Sequence, residues 1–321
     1  MAWGEILVAS FLLKRVASLL PVLLVVMTVD FLIIHMIPGD PASVMAGPNA
    51  TTADIAQLRS RLNLDLPLHV QFLRWAGRAM RGDLGDSLFL GRTVNRAVWE
   101  RTEPTLLLTV YGLLVAVLIG MPLGILAAVR PNTGMDRGFM FLAVLGVSIP
   151  TFWLGLIFIY AFAVNLRWLP AAGYASLSEG FVANLRYLML PALSLGLNQS
   201  ALVARMTRSF MLEVLREDYI RTARSKGLAE NLVILRHALR NVLVPTVTVV
   251  GLIFAVLLGG AVTTEIVFNI PGAGRLLIDS VLRRDYPVIQ GAVLYIAVAF
   301  VIINIIVDML YVVIDPRIKH A

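Results

Sequence analysis

The chain has no cysteine. It therefore has no disulfide framework, no thiolate nucleophile and no Cys-based metal site. Charge is also scarce. Only 15% of the 321 residues are charged and 59% are hydrophobic, whereas soluble domains run nearer a quarter charged. No G-x-x-x-x-G-K-[ST] phosphate loop occurs, so nucleotide is not bound by that route. No H-E-x-x-H occurs either, and no metal site is expected. "ALSLG" (Ala192 to Gly196) lacks the first glycine of a nucleophile elbow. Gly146-Val147-Ser148 has no base to form a triad, and His35 belongs to a different apolar run. These absences argue against an enzyme and for a membrane protein. The net charge of +7 then points to loops on the positive side of a membrane and to anionic lipid, not to nucleic acid.

Long apolar runs are abundant. A helix needs about 20 apolar residues to cross a hydrocarbon core of about 30 Å. Six runs qualify, over 16–37, 105–129, 139–164, 188–206, 242–262 and 288–314. Helix is the expected state because backbone polar groups in lipid must be satisfied within the segment. Lys14 and Arg15 precede the first run. At 22 residues it exceeds the apolar region of a signal peptide, about 7–15 residues, and is expected to be a permanent anchor. The expected fold is an all-α integral membrane protein with six transmembrane helices.

Basic residues in short loops set the orientation. With both termini cytoplasmic, fourteen Lys and Arg fall inside and five in the short outer loops. The inner set includes Arg130, Arg137, Arg317, Lys319 and eight residues between Arg205 and Arg240. The long 38–104 loop is discounted, because long loops cross regardless of charge.

Three domains follow: an anchor over 1–37, a periplasmic insert over 38–104 and a core over 105–321. "PGDP" (Pro38 to Pro41) stops the first helix. Thr51 and Asp54 have capping-box spacing, and Pro67 suits the start of a helix running towards Gly82. The insert is expected to be helical. In the 263–287 loop, Pro271 to Gly274 form a turn and "RLLIDSVLRR" an amphipathic helix, open to reading as a docking surface or a lid.

The segment 205–241 interrupts the oily pattern with eight basic and four acidic residues. Leu228, Leu232, Leu235 and Leu239 recur at helical spacing. Gly227 separates that stretch from one carrying Tyr219, Ile220 and Ala223. A bent helix pair is expected. It reads either as a patch on lipid headgroups or as a knob that enters a soluble partner, since an apolar stripe flanked by charge suits a groove.

At this loop the chain resembles the membrane subunits of ATP-binding-cassette importers. Their cytoplasmic loop reads Glu-Ala-Ala, three residues, then Gly. The matching positions here are Arg221-Thr222-Ala223, Arg224-Ser225-Lys226 and Gly227, so the first two letters depart. "EDYIRTARSKGL…RHALRN", "HMIPGDPA", "VFNIPGAGRLL…RRDYPVIQG" and "INIIVDMLYVVIDPRI" resemble the dipeptide, oligopeptide and nickel branch, from about Lys14 to Lys319. The resemblance implies a type I importer permease in the bacterial inner membrane. It implies a homologous permease partner in a heterodimer, two cytoplasmic ATPases that bind ATP and Mg, and a periplasmic or lipid-anchored binding protein. No cofactor is expected on this chain. Dipeptides or oligopeptides are the implied cargo, with nickel or glutathione-type solutes compatible. The implied coupling residues are Glu217, Asp218, Tyr219, Arg221, Thr222, Ala223, Lys226, Gly227, His237, Arg240 and Asn241. A stand-alone secondary transporter would show internal repeats and a midplane ion pair; neither is evident.

Polar residues within spans should face protein or water. Asn198, Gln199 and Ser200 form a belt in the fourth run and are expected either to line the translocation path or to bond between helices. Asn304 and Asp308, four apart in the sixth, are expected to be structural. Gly112, Gly120, Gly124, Gly146 and Gly155 suit close helix packing.

Overall fold

A computed structural model describes residues 21–33, 35–36, 40–47, 50–61, 64–87 and 89–314. Among them the regular elements are helices: α1 (Pro21–Ile33), α2 (Pro41–Ala46), α3 (Thr52–Arg61), α4 (Leu68–Ala79), α5 (Val94–Val129), α6 (Gly134–Ser148), α7 (Thr151–Phe158), α8 (Phe181–Val214), α9 (Asp218–Ser225), α10 (Glu230–Leu232), α11 (Leu239–Val267), α12 (Ala273–Arg283) and α13 (Tyr286–Ile314). Wider π-helical turns follow α7 at Ile159–Asn165 and precede α11 at Val233–Ala238.

Four helices of the described residues are long and apolar enough to cross a membrane, over Val94–Val129, Phe181–Val214, Glu230–Val267 and Tyr286–Val307. A fifth span is broken: Gly134–Ser148 and Thr151–Asn165 meet at 97°. The break falls at Ile149-Pro150. Proline clashes with the preceding turn and pushes Ile149 out of the helical region, to ψ 121°. Apolar length alone predicts one continuous run over 139–164. The α1 helix is apolar but shorter. The start of the expected first span lies outside the described residues, as do Lys14, Arg15, Arg317 and Lys319.

The chain divides into two compact units. In the unit formed by 1–103 and 272–302, Phe31 of α1 packs on Phe72 and Trp75 of α4. His35 Nε2 meets Gln71 Oε1 at 3.1 Å. The α3 start has the expected box: Asp54 N donates to Thr51 Oγ1 (3.2 Å) and Thr51 N to Asp54 Oδ2 (3.0 Å). Pro67 precedes α4 as its N-cap. The α12 helix buries Leu276 and Ser280 and exposes Val281 and Leu282. At its end, Ser87 Oγ donates to the buried Asp285 Oδ2 (2.5 Å).

The other unit, 104–271 with 303–321, is organised around α8. Its buried apolar side chains include Leu108, Leu188, Leu195, Val203, Ile253, Leu257 and Phe268. Glycines let α5 lie directly on α8. A methyl group on Gly120 would stand 2.4 Å from the Ser200 carbonyl oxygen, and one on Gly124 2.5 Å from that of Ala204. Gly196 meets the Gly112 carbonyl oxygen at 2.3 Å by the same measure. Such approach replaces hydrophobic driving force with backbone packing, as membrane helices require. Gly155 serves Phe268 in the same way; Gly146 has no such close neighbour.

Candidate functional site

The site is built on the polar end of α8. The helix does not stop near Met206, where apolar composition ends, but continues to Val214. Arg205 and Arg208 are therefore on a continuous rod rather than in a loop. The loop proper begins at Leu215 and holds α9, Gly227 and α10.

Glu217 is extended at the N-cap of α9, and Asp218 sits in its first turn, where acid complements the helix dipole. The helix is short and two-faced. Ile220 (0% exposed) and Ala223 (6%) point into an apolar cluster with Met211, Val233, Ile234, Ala238 and Val242. Tyr219, Arg221, Thr222, Arg224 and Lys226 lie on the exposed side. Gly227 turns the chain at φ +75°, with open space where a Cβ would stand, a conformation glycine adopts without strain. The expected bend is present.

The returning segment departs from the expected pattern. Val233, Ile234, Ala238 and Val242 form its buried face, not the leucines. Leu232 and Leu235 are 40% and 62% exposed. The cause is the π turn at Val233–Ala238. Its i→i+5 bonding rotates the face that a regular 3.6-residue helix would bury. Leu232 and Leu235 are thus turned outward, while Leu228 packs against the buried cluster.

Side chains fix this geometry. Arg224 Nε and Nη2 donate to the two Glu230 oxygens at 3.1 and 2.7 Å, bridging the Gly227 bend. Donating to Glu230 raises the pKa of the Arg224 guanidinium above its ordinary value. Asn241 Nδ2 donates to Tyr219 Oη (2.7 Å) and to the His237 carbonyl (3.2 Å). Arg221 is only loosely paired with Asp218, at 3.3 Å with both side chains exposed. His237 is half-buried and Arg240 exposed. Of the eleven expected residues, the eight from Glu217 to Gly227 lie on α9 and at its two ends, His237 lies in the π turn, and Arg240 and Asn241 open α11. Two divide by role: Ala223 is buried packing, and Asn241 braces Tyr219.

Sequence reading missed the anchor beneath this pair. Arg208 Nε and Nη2 donate to the two oxygens of Asp136, each at 2.7 Å. Asp136 is almost fully buried at the start of α6, where its backbone N–H donates to Thr133 Oγ1. The Thr133-to-Asp136 spacing was the available signal.

Higher in α8, Asn198 donates its amide to the carbonyls of Gly146 (3.2 Å), Val147 (3.4 Å) and Ile149 (3.2 Å). Ser200 is buried and bonds to the Leu197 carbonyl (2.7 Å). Gln199 is half-buried, with its amide 3.5 Å from Asn198 Oδ1. Asn304 is half-buried on α13. The side chain of Asp308 lies outside the described residues. Among the described residues no group of His, Asp or Glu is placed to hold a metal.

Residues 120–320 match the family described as "Binding-protein-dependent transport system inner membrane component", and residues 8–92 match the corresponding N-terminal family. The chain is 47% identical over 311 residues to "Glutathione transport system permease protein GsiC" of Salmonella typhimurium, covering 97% of this chain and 99% of that protein. It is 43% identical over 310 residues to "Probable peptide ABC transporter permease protein y4tP" of Sinorhizobium fredii, with 97% and 99% covered. Among solved structures it is similar to the MetNI methionine ABC transporter in inward-facing form. There the TM-score is 0.56 at 18% identity, covering 68% of this chain and 95% of that one. At that identity the likeness is one of fold.

Proposed function

The chain belongs to the family of binding-protein-dependent transport system inner membrane components, and on that premise we propose that it forms half of the pore of a peptide importer. As a member of that family it is a multi-pass permease of the inner membrane and a non-catalytic subunit of an ATP-driven importer. It works with a second permease, ATPases and a substrate-binding protein.

Six spans place both termini in the cytoplasm and the 38–104 insert in the periplasm. The second permease is a homologous but distinct chain, and two ATPases carry ATP and Mg. The α9–α10 pair docks into the ATPase. One observation carries this: Ile220 and Ala223 anchor α9 inward, while Tyr219, Arg221, Lys226, Leu232 and Leu235 stand outward on the same pair. An apolar stripe rimmed by charge is the form that a groove accepts. The brace at Arg224–Glu230 lets the pair move as one body, so closure of the ATPases is delivered to α8 and α11. Alternating access follows from that displacement. In the polar belt Asn198 and Ser200 are already bonded within the bundle, so the path-lining role falls to Gln199.

The cargo is a peptide-like solute. Relatives named for glutathione and for peptides support a dipeptide, an oligopeptide or glutathione, with the binding protein choosing among them.

The test uses the absence of cysteine. Leu235→Cys carries the only thiol of the chain and takes a short photo-crosslinker. In inner-membrane vesicles of the assembled transporter it should capture the ATPase subunit. Capture of lipid alone, with no ATPase adduct, would end this reading.

A further inference from the structure

We propose that Asn198 is a positioning residue for transport: it holds the break in the α6–α7 span and ties that break to the rod driven by the docking loop. The inference rests on the reading above for its link to ATP.

The geometry begins with an unmet need. A broken helix leaves carbonyls without intrahelical partners, and in a membrane no water is on hand to satisfy them. The last turn of α6 has this problem, because Pro150 supplies no N–H. The Asn198 amide lies within 3.2–3.4 Å of the carbonyls of Gly146, Val147 and Ile149. Two N–H bonds are shared among three acceptors at the 97° bend. The approach does not depend on a glycine: a methyl group at Gly146 would have only the Leu197 carbonyl oxygen near it, at 3.8 Å.

The same rod holds the other end of α6. Arg208 grips Asp136 through two bonds of 2.7 Å. Asn198 and Arg208 are ten residues apart on α8, about 15 Å, and α6 lies between the two grips. The rod runs on from Arg208 to Val214, and α9 starts at Asp218. Contact of α5 with α8 at Gly120, Gly124 and Gly196 leaves no slack for α8 to slide alone. A displacement of the loop therefore moves α8 with α6, and it reaches the broken span at Asn198. There α7, seated on Phe268 through Gly155, meets α6 at the bend. Without the Asn198 amide, the bent form loses its partners and the stroke is not delivered to α7.

The test places spin labels at Phe141→Cys and Leu156→Cys, both exposed positions on opposite arms, in a chain with no other cysteine. The arms are about 12 and 9 Å long. At a 97° bend the backbone separation is about 14 Å, and a straight helix would give about 21 Å. In the assembled transporter without ATP, Asn198→Leu should shift the distance distribution toward the longer value. With ATP, the same variant should keep ATP hydrolysis and lose at least about fivefold in solute imported per ATP. Asn198→Gln keeps an amide donor and should recover most of both. If Asn198→Leu does not assemble, Asn198→Ser, too short to reach all three carbonyls, carries the same readouts. An unchanged distance, or an unchanged import ratio, overturns the proposal. Failure of the docking reading looks different: Leu235→Cys then captures no ATPase subunit, while the label distance still reports on Asn198.

Discussion

Asp136 and Arg208 form a two-pronged ion pair that joins the start of α6 to α8, with both bonds at 2.7 Å and the carboxylate almost fully buried. A buried charge stripped of its partner is costly, on the order of 3 kcal/mol. Arg208→Ala should therefore lower the stability of the purified complex by about that amount. Arg208→Lys, which keeps the charge but not the fork, should cost roughly half. Thermal unfolding in detergent, read by tryptophan fluorescence, checks both.

Helix contacts make a sharper contrast. Gly120→Ala and Gly196→Ala force a methyl group to within 2.4 and 2.3 Å of a neighbouring backbone carbonyl oxygen, so α5 and α8 must part. Each should cost more than about 2 kcal/mol and reduce recovery of intact complex. Gly259→Ala meets nothing within 4 Å and should be neutral or stabilising by up to about 1 kcal/mol. Parallel melting curves decide the matter; equal effects at all three sites would contradict the packing described.

At Gly227 the cost is in the backbone alone. Its φ of +75° with open space around it predicts that Gly227→Asn is tolerated, whereas Gly227→Val is not. The left-handed conformation costs a side-chain-bearing residue about 1–2 kcal/mol, more when β-branched. Substrate-stimulated ATP hydrolysis in reconstituted vesicles should stay near normal for Asn and fall several-fold for Val.

The Arg224–Glu230 pair is half exposed, so its removal should change global stability by less than about 1 kcal/mol. Its effect should appear in coupling. Arg224→Glu places two acids across the bend and should weaken ATPase association. The exchange Arg224→Glu with Glu230→Arg should restore most of it. Co-purification of the ATPase with each variant is the measurement.

Much of the fold was legible because lipid enforces simple rules. Apolar length alone marked α5, α8, α11 and α13, and the Thr51–Asp54 and Pro67 signals placed α3 and α4. The break at Ile149-Pro150 was not legible. Residues 139–164 are apolar throughout, and a membrane helix often tolerates proline, as α5, α8 and α11 do at Pro104, Pro122, Pro191 and Pro245. What distinguishes Pro150 is the tertiary partner Asn198, which lies 48 residues away. In the loop, Gly227 and the two-sided α9 were readable from local pattern. The buried face of the returning segment was not, because helical counting assumes a constant pitch and Val233–Ala238 does not keep it. Asp136 looked like a loop residue because its partner Arg208 was assigned to a loop as well.

That widened turn also bears on how such a surface tolerates insertions and deletions. The six residues Val233–Ala238 in the wider turn wind about as far as five at ordinary pitch, so removing one residue while the segment relaxes would leave its loop side close to its present angle. Keeping all six at ordinary pitch would instead rotate everything on the loop side by roughly 100°. Leu232 would exchange its outward position for an inward one, with no change in chemical composition. For this stretch, pitch matters more than side-chain identity. A relative whose loop matches letter for letter but winds these six residues at ordinary pitch would present a different face to whatever grips it.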